Sequence, residues 1–252
     1  MKRGVLLMVA VFVLSGLPVF AVDFSMGVKG GINLAHFGGD DAEATNNFES
    51  DSKVGFTGGV FGDIPVKDII SIQPGIFFTL KGQKLEYIGN TGFEYDSFYY
   101  IEVPVLVKFY PPIKLPGDDK YNANVFAGPY LGIDLFNRYR RTGEVRDVVF
   151  VGDDAEGNYE DAWGDVSILD FGLVFGLGVD IKKFVIEASY SVGLLPIDAS
   201  AASRDLKNRV ATLAVGYKFD KDVFSSLGKK TKDSSSKKKK DNTGKKKDDS
   251  LE

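Results

Sequence analysis

The chain of 252 residues contains no cysteine, one histidine and one tryptophan. Without cysteine there are no disulfides, no thiolate metal ligands and no cysteine nucleophile, so an exported fold must be held by its own backbone ladder. No lipoprotein anchor is available either. Past residue 21 no apolar run approaches the roughly 20 residues a transmembrane helix needs. Any later membrane span must therefore be made of strands. The histidine, His36, has no serine motif around it, and an activated nucleophile needs its base within hydrogen-bond reach. We expect no catalytic residue, no metal and no cofactor, and read the protein as not an enzyme. A membrane-embedded lipid-modifying enzyme built on His36 is the alternative. Trp163 lies outside any Gly-x-Trp signature, which counts against a soluble lipocalin-like ligand carrier.

What is present divides the chain into three. Residues 1–21 read as a secretory signal peptide: Lys2 and Arg3, an apolar run from Val5 to Leu17, and a Val19-Phe20-Ala21 cleavage pattern. Residues 22–219 carry 18 Lys and Arg against 28 Asp and Glu, whereas residues 220–252 carry 11 Lys against 7 acids. The latter is a different polymer. It holds Lys237–Lys240 and Lys245–Lys247 among Ser, Asp and Gly, with too few apolar residues to offset the entropy of ordering, and reads as a disordered tail. After export its basic strings would meet anionic cell wall, lipid headgroups or other envelope proteins, and no nucleic acid.

The middle segment alternates apolar and polar residues with the period of a strand. Eight such stretches can be drawn, at roughly 24–34, 54–64, 70–81, 99–109, 124–135, 169–180, 184–193 and 211–219, each long enough to cross a bilayer when tilted. Within them Val28, Ile32 and Leu34 share one phase, as do Val103, Val105 and Val107, and Phe171, Leu173, Phe175 and Leu177. On the fifth stretch Val125, Ala127, Leu131, Ile133 and Leu135 do the same. Ten charges, Lys29, Asp63, Lys81, Glu102, Lys108, Asp134, Asp170, Asp180, Glu187 and Lys218, fall on the opposite, Gly- and Ser-rich phase. A Lys or Arg on the lipid face at mid-bilayer costs about 2–4 kcal/mol, so this phase should point inward as a lumen charge network. Four cations among six anions leave an anionic excess, for which Arg209 is a candidate partner.

Links between stretches alternate short and long. Pro65-Val66-Lys67-Asp68, a Pro-rich run through Pro111, Pro112 and Pro116, and Lys182-Lys183 are short; 35–52, 83–97, 137–165 and 195–207 are long. That is the pattern of short periplasmic turns and longer extracellular loops. Aromatic residues cluster where the two interfaces should lie: Phe24, Phe109, Phe184, Tyr217 and Phe219 at the short-turn end, Phe98, Tyr99 and Tyr139 at the other. The expected fold is all-β, an eight-stranded antiparallel up-and-down transmembrane β-barrel in the outer membrane of a Gram-negative-type bacterium. Two loops repeat a string, Gly39-Asp40-Asp41-Ala42-Glu43 and Gly152-Asp153-Asp154-Ala155-Glu156. Its spacing lacks a Ca²⁺-loop ligand set, and we expect ordinary solvated loops.

Gly27-Val28-Lys29-Gly30-Gly31-Ile32-Asn33-Leu34, Ile72-Gln73-Pro74-Gly75, Ile101-Glu102-Val103-Pro104-Val105-Leu106-Val107-Lys108 and Phe126-Ala127-Gly128-Pro129-Tyr130-Leu131-Gly132 resemble the PorT-type outer-membrane β-barrel family over about residues 22–219. The resemblance implies location and fold, and a place in an envelope export assembly. The ending Val215-x-Tyr217-x-Phe219 resembles the terminal-strand signal read by the barrel assembly machinery, although here the chain continues for 33 residues beyond it. The expected role is that of a structural or interaction protein with a closed, charge-filled lumen, displaying extracellular loops amid outer-membrane lipid and lipopolysaccharide.

Overall fold

Alternation of side chains along an extended backbone, with glycine where neighbouring strands approach closely, lays down nine strands among the described residues. The computed structural model describes residues 24–40, 48–87, 93–112, 121–142, 155–157, 166–198 and 205–219. The proposed signal peptide, the lysine-rich tail and Trp163 lie outside them. The strands are β1 (Ser25–Gly38), β2 (Phe48–Lys67), β3 (Ile70–Tyr87), β4 (Phe93–Phe109), β5 (Tyr121–Thr142), β6 (Ala155–Gly157), β7 (Leu169–Ile181), β8 (Phe184–Gly193) and β9 (Lys207–Phe219). Consecutive strands pair antiparallel, except that β6 pairs with β5 alone. β1 meets β9 and β5 bypasses β6 to pair with β7, so eight strands close one up-and-down ring. Closure leaves no sheet edge, the condition for strands to span lipid.

β6 is an addition to the ring. It pairs with Tyr139–Arg141 at the far end of β5, beyond the point where β7 begins. The strands are unequal in length: β2 to β5 run 17 to 22 residues, while β7, β8 and β9 run 10 to 13. Crossing a bilayer takes about 9–11, so β2 to β5 continue past the membrane on the long-link side. The sequence expectation of loops at 35–52, 83–97 and 137–165 is corrected there, because parts of each are ladder. At the opposite end β2 continues through Lys67, so the first turn reduces to Asp68 and Ile69.

The apolar phase points outward. Val54, Ile32, Leu177 and Leu213 are each more than 60% exposed, whereas Lys81 and Lys108 are 1% and 0% exposed. The interior is tight: a Cβ on Gly176 would lie 2.4 Å from the Ala188 carbonyl oxygen and 2.5 Å from the Phe126 ring. Only glycine admits the ring at that point. A β-bulge changes one phase. Tyr99 pairs with Phe136 but Tyr100 with Asp134, leaving Leu135 as the extra residue. Past the bulge it is Phe136, 43% exposed, that takes the outer face.

The girdle expectation is corrected in part. Phe98 is fully buried inside the barrel and Tyr139 packs against the same interior cluster. The outer ring residues instead form a row over four strands. Phe56 lies 5.9 Å from Phe78, Phe78 6.0 Å from Tyr99, and Tyr99 stacks on Phe136 at 4.3 Å. At the short-turn end Phe24, Phe109 and Phe184 are exposed, with Tyr217 edge-on to Phe184 at 5.3 Å.

Candidate functional site

Because inward residues recur every second position on eight strands, charges far apart in sequence meet across the lumen. They do so in layers. Nearest the short turns, Lys218 of β9 stands between Asp63 of β2 and Asp180 of β7, 2.8 Å from the latter. Tyr110 Oη and Asn124 Nδ2 each donate to Asp180 at 3.2 Å. In the next layer the arrangement inverts. One carboxylate, Glu187 of β8, sits between two lysines, Lys29 of β1 and Lys108 of β4. Lys29 also donates to Gln73 at 3.0 Å and lies 4.9 Å from the centre of the Phe61 ring.

The third layer returns to the first pattern. Lys81 of β3 stands between Glu102 of β4 and Asp170 of β7, 2.9 Å from Asp170. The ring of Tyr130 faces it at 4.4 Å, a favourable position for a desolvated cation. Tyr130 Oη at 3.1 Å and Asn208 Nδ2 at 2.9 Å donate to Asp170. The tenth charge, Asp134, is set apart and accepts from Asn137 at 3.2 Å. Successive layers thus carry opposite excess charge, so each attracts the next as well as being paired within itself. Burying ions is tolerable only when they are paired and hydrogen-bonded in this way.

Above the third layer the lumen turns apolar. Phe37, Phe98, Tyr100, Val166, Ile197 and Leu206 form a buried cluster. Three of them come from segments beside the strands, drawn inward by the Ser167 N–H to Ile197 carbonyl and Ile197 N–H to Leu206 carbonyl bonds. Further out, on the part of β4 past the bilayer, Glu94 and Asp96 are both fully buried. Gln83 of β3 donates to Asp96 at 3.2 Å, and Lys53 of β2 donates to the Asp96 carbonyl at 2.9 Å. Burial first, and then the Glu94 carboxylate, push the Asp96 carboxyl up to about 8. Burial pulls Lys53 down to about 8.

Several partners escaped the sequence reading: Tyr100, Tyr130, Gln73, Asn124, Asn208, Glu94 and Asp96. Extending the inward phase of Glu102 back along β4 reaches Tyr100, Phe98, Asp96 and Glu94, a signal the sequence does hold. Arg209 does not serve the lumen. It lies on the outward phase of β9, where its Nη1 donates to the Gly193 carbonyl at 2.8 Å. His36 belongs to β1, not to a loop, and also faces outward. Among the described residues no group of three or more His, Cys, Asp or Glu side chains is arranged to hold a metal. Val215, Tyr217 and Phe219 occupy the outward phase of β9, Val215 being 54% exposed.

A family model for the outer membrane protein beta-barrel domain matches residues 20–199. Among solved structures, Ail, the attachment invasion locus protein of Yersinia pestis, is 14% identical over 78% of this chain and 99% of its own, with a TM-score of 0.36. Neisserial surface protein A is 12% identical over 77% of this chain and 97% of its own, with a TM-score of 0.42. OprG from Pseudomonas aeruginosa is 13% identical over 79% and 97%, with a TM-score of 0.39. No curated protein matches the chain.

Proposed function

The chain belongs to the outer-membrane β-barrel domain family and resides in the cell outer membrane, and on that premise we propose that it is a closed barrel whose lumen charges are structural and whose projecting ends bind other envelope components. The stacked ion layers carry this reading. Eight strands leave an interior that side chains can fill, and Lys218, Glu187 and Lys81 each engage two opposite charges there. A conducting path would have to break at least one of these pairs. The projecting parts of β2 to β5 give the long links a rigid base, the usual setting for recognition. His36, facing outward, has no assigned catalytic role in this reading.

The PorT-type resemblance supports a narrower proposal, that the bound components form an export assembly. Val215, Tyr217 and Phe219 are proposed as the contact for the barrel assembly machinery, and the tail from residue 220 as a contact for anionic cell wall. Purified protein in planar bilayers should show no steady conductance; sustained open-channel current would defeat the closed-lumen reading. Extraction in mild detergent should recover stoichiometric envelope partners, and recovery of the barrel alone would defeat the interaction reading.

A further inference from the structure

Three prolines stand on three adjacent strands in the middle of the wall. Pro74 of β3 is paired with Val105 of β4, and Pro104 of β4 with Tyr130 of β5. Pro129 of β5 lies next to Tyr130. Proline has no N–H to give to a ladder and is normally confined to sheet edges, but this ring has none. The pairing responds. Between β3 and β4 the paired positions jump from Pro74–Val105 to Phe77–Glu102, and between β4 and β5 from Pro104–Tyr130 to Val107–Ala127, the register being the same on either side of each gap. The β2–β3 pairing skips beside Pro74 as well, from Phe61–Gly75 to Ile64–Ile72. Along β5–β7, β7–β8 and β8–β9 the register runs without a gap.

Inside the barrel, a cavity of about 80 Å³ abuts this stretch of wall. Pro104 and Leu106 line it from β4. Lys29 and Glu187 of one ion layer and Lys81 and Glu102 of the next bound it too, with hydroxyls such as Thr79 and Ser191 between. Outside, Ile76, Val105 and Val107 are exposed to the hydrocarbon. An unpaired backbone group in lipid costs several kcal/mol. Three donors missing from adjacent strands, in front of a hollow lined by both charged and apolar side chains, is a local breach of the rules that hold the rest of the wall. Such breaches concentrate at functional positions.

We propose that the wall parts along β3, β4 and β5 at Pro74, Pro104 and Pro129, admitting a membrane-resident amphiphile whose small hydrogen-bonding head enters the cavity while its alkyl chain stays in the bilayer. The apolar approach selects a ligand that arrives by way of the hydrocarbon. The hydroxyl and charged groups of the lining select a polar head, and the small volume limits its size. The end-to-end closure of the lumen is untouched by this sideways entry.

The absence of cysteine makes the test direct. Leu106→Cys places a thiol on the cavity wall beside the prolines, and Val210→Cys places one on the cavity wall at β9. In vesicles, a maleimide joined to a long alkyl chain should label the Leu106→Cys protein several-fold faster than the Val210→Cys protein. A charged, water-soluble maleimide should label neither quickly. Replacing Pro74, Pro104 and Pro129 together by Val should slow the alkyl reagent at Leu106→Cys to the Val210→Cys rate. Equal rates at the two positions, faster labelling from water, or no change without the prolines would each overturn the proposal. The unsubstituted protein gives a second reading. Amides of residues 75–76, 103 and 105–106 should exchange with deuterium in vesicles ahead of those in β7 and β8, and equal protection would overturn it as well.

Discussion

The two sides of the ring are held by different means. On the β7–β8–β9 side pairing is continuous, from Gly172–Gly193 to Ile181–Phe184 and from Phe184–Tyr217 to Val192–Arg209. On the β2–β5 side it is interrupted three times around Pro74, Pro104 and Pro129. Side chains take over where the backbone ladder is thinner. The row Phe56, Phe78, Tyr99 and Phe136 lies across those four strands, and its ring contacts each contribute about 0.5–1.5 kcal/mol beyond area burial. Lys81 and Lys108 reach from the interrupted side to Asp170 and Glu187 on the continuous one. Wall integrity is thus shared between main-chain bonds on one side and stacked rings with cross-lumen ion pairs on the other.

The largest expected effect comes from removing a cross-lumen brace. Glu187→Leu leaves Lys29 and Lys108 buried without their shared anion, a loss of about 3–5 kcal/mol for breaking a buried ion pair. Adding Lys29→Met and Lys108→Met to Glu187→Leu should restore most of that stability, because matched apolar replacement of a buried ion cluster is often neutral. Urea midpoints in lipid vesicles, with heat-shifted gel mobility as the folding readout, distinguish the two. If Glu187→Leu alone were neutral, the ion layers would not brace the interrupted side.

A smaller effect lies where the β2–β5 side projects from the bilayer. Asp96 sits at about 8 because of burial and of Glu94 on its own strand, with Gln83 of β3 and Lys53 of β2 facing it. A carboxyl raised in the folded state holds its proton longer than in the unfolded chain, so the native state binds more protons from about pH 4 to pH 8. Its contribution to stability therefore falls as pH rises through that window. Asp96→Asn should remove the fall, a gain of about 1–3 kcal/mol by pH 8, on the scale of ~1.4 kcal/mol for each pKa unit. Unfolding midpoints of both proteins from pH 5 to pH 8 would check it. Parallel slopes would mean that Asp96 does not set the pH response. Lys53, lowered to about 8, acts in the opposite sense and in a different window, above pH 8.

The sequence made the ring legible and left its cross-links hidden, for a physical reason. Period-two alternation is a local property, so Val103, Val105 and Val107 reveal their common face without knowledge of any neighbour. Which acid Lys81 meets depends on closure of the ring, which brings β3 opposite β7, and no local pattern encodes that. Leu135 shows the same limit at smaller scale. Alternation puts it on the outer face with Ile133, but one bulged residue passes that place to Phe136. Phe98 and Tyr99 are adjacent and so cannot both face lipid; strict alternation already contained the correction. The strand ends past the bilayer were hidden because their outward residues, such as Ser97 and Arg138, are polar, and polarity there reads as loop.

The smallest expected effect addresses the interruption itself. Pro104→Val returns an N–H to β4 opposite the unpaired Gly75–Ile76 stretch of β3. Valine is close to proline in volume and favours a strand, so the gain should be near that of one ladder bond, about 0.5–1.5 kcal/mol. It should also slow amide exchange at residues 75–76 and leave β7–β8 exchange unchanged. That asymmetry is the informative part. A uniform rise in protection would mean that the ring yields as one cooperative unit. A local rise would mean that the β3–β5 wall opens on its own, and that its prolines set how often.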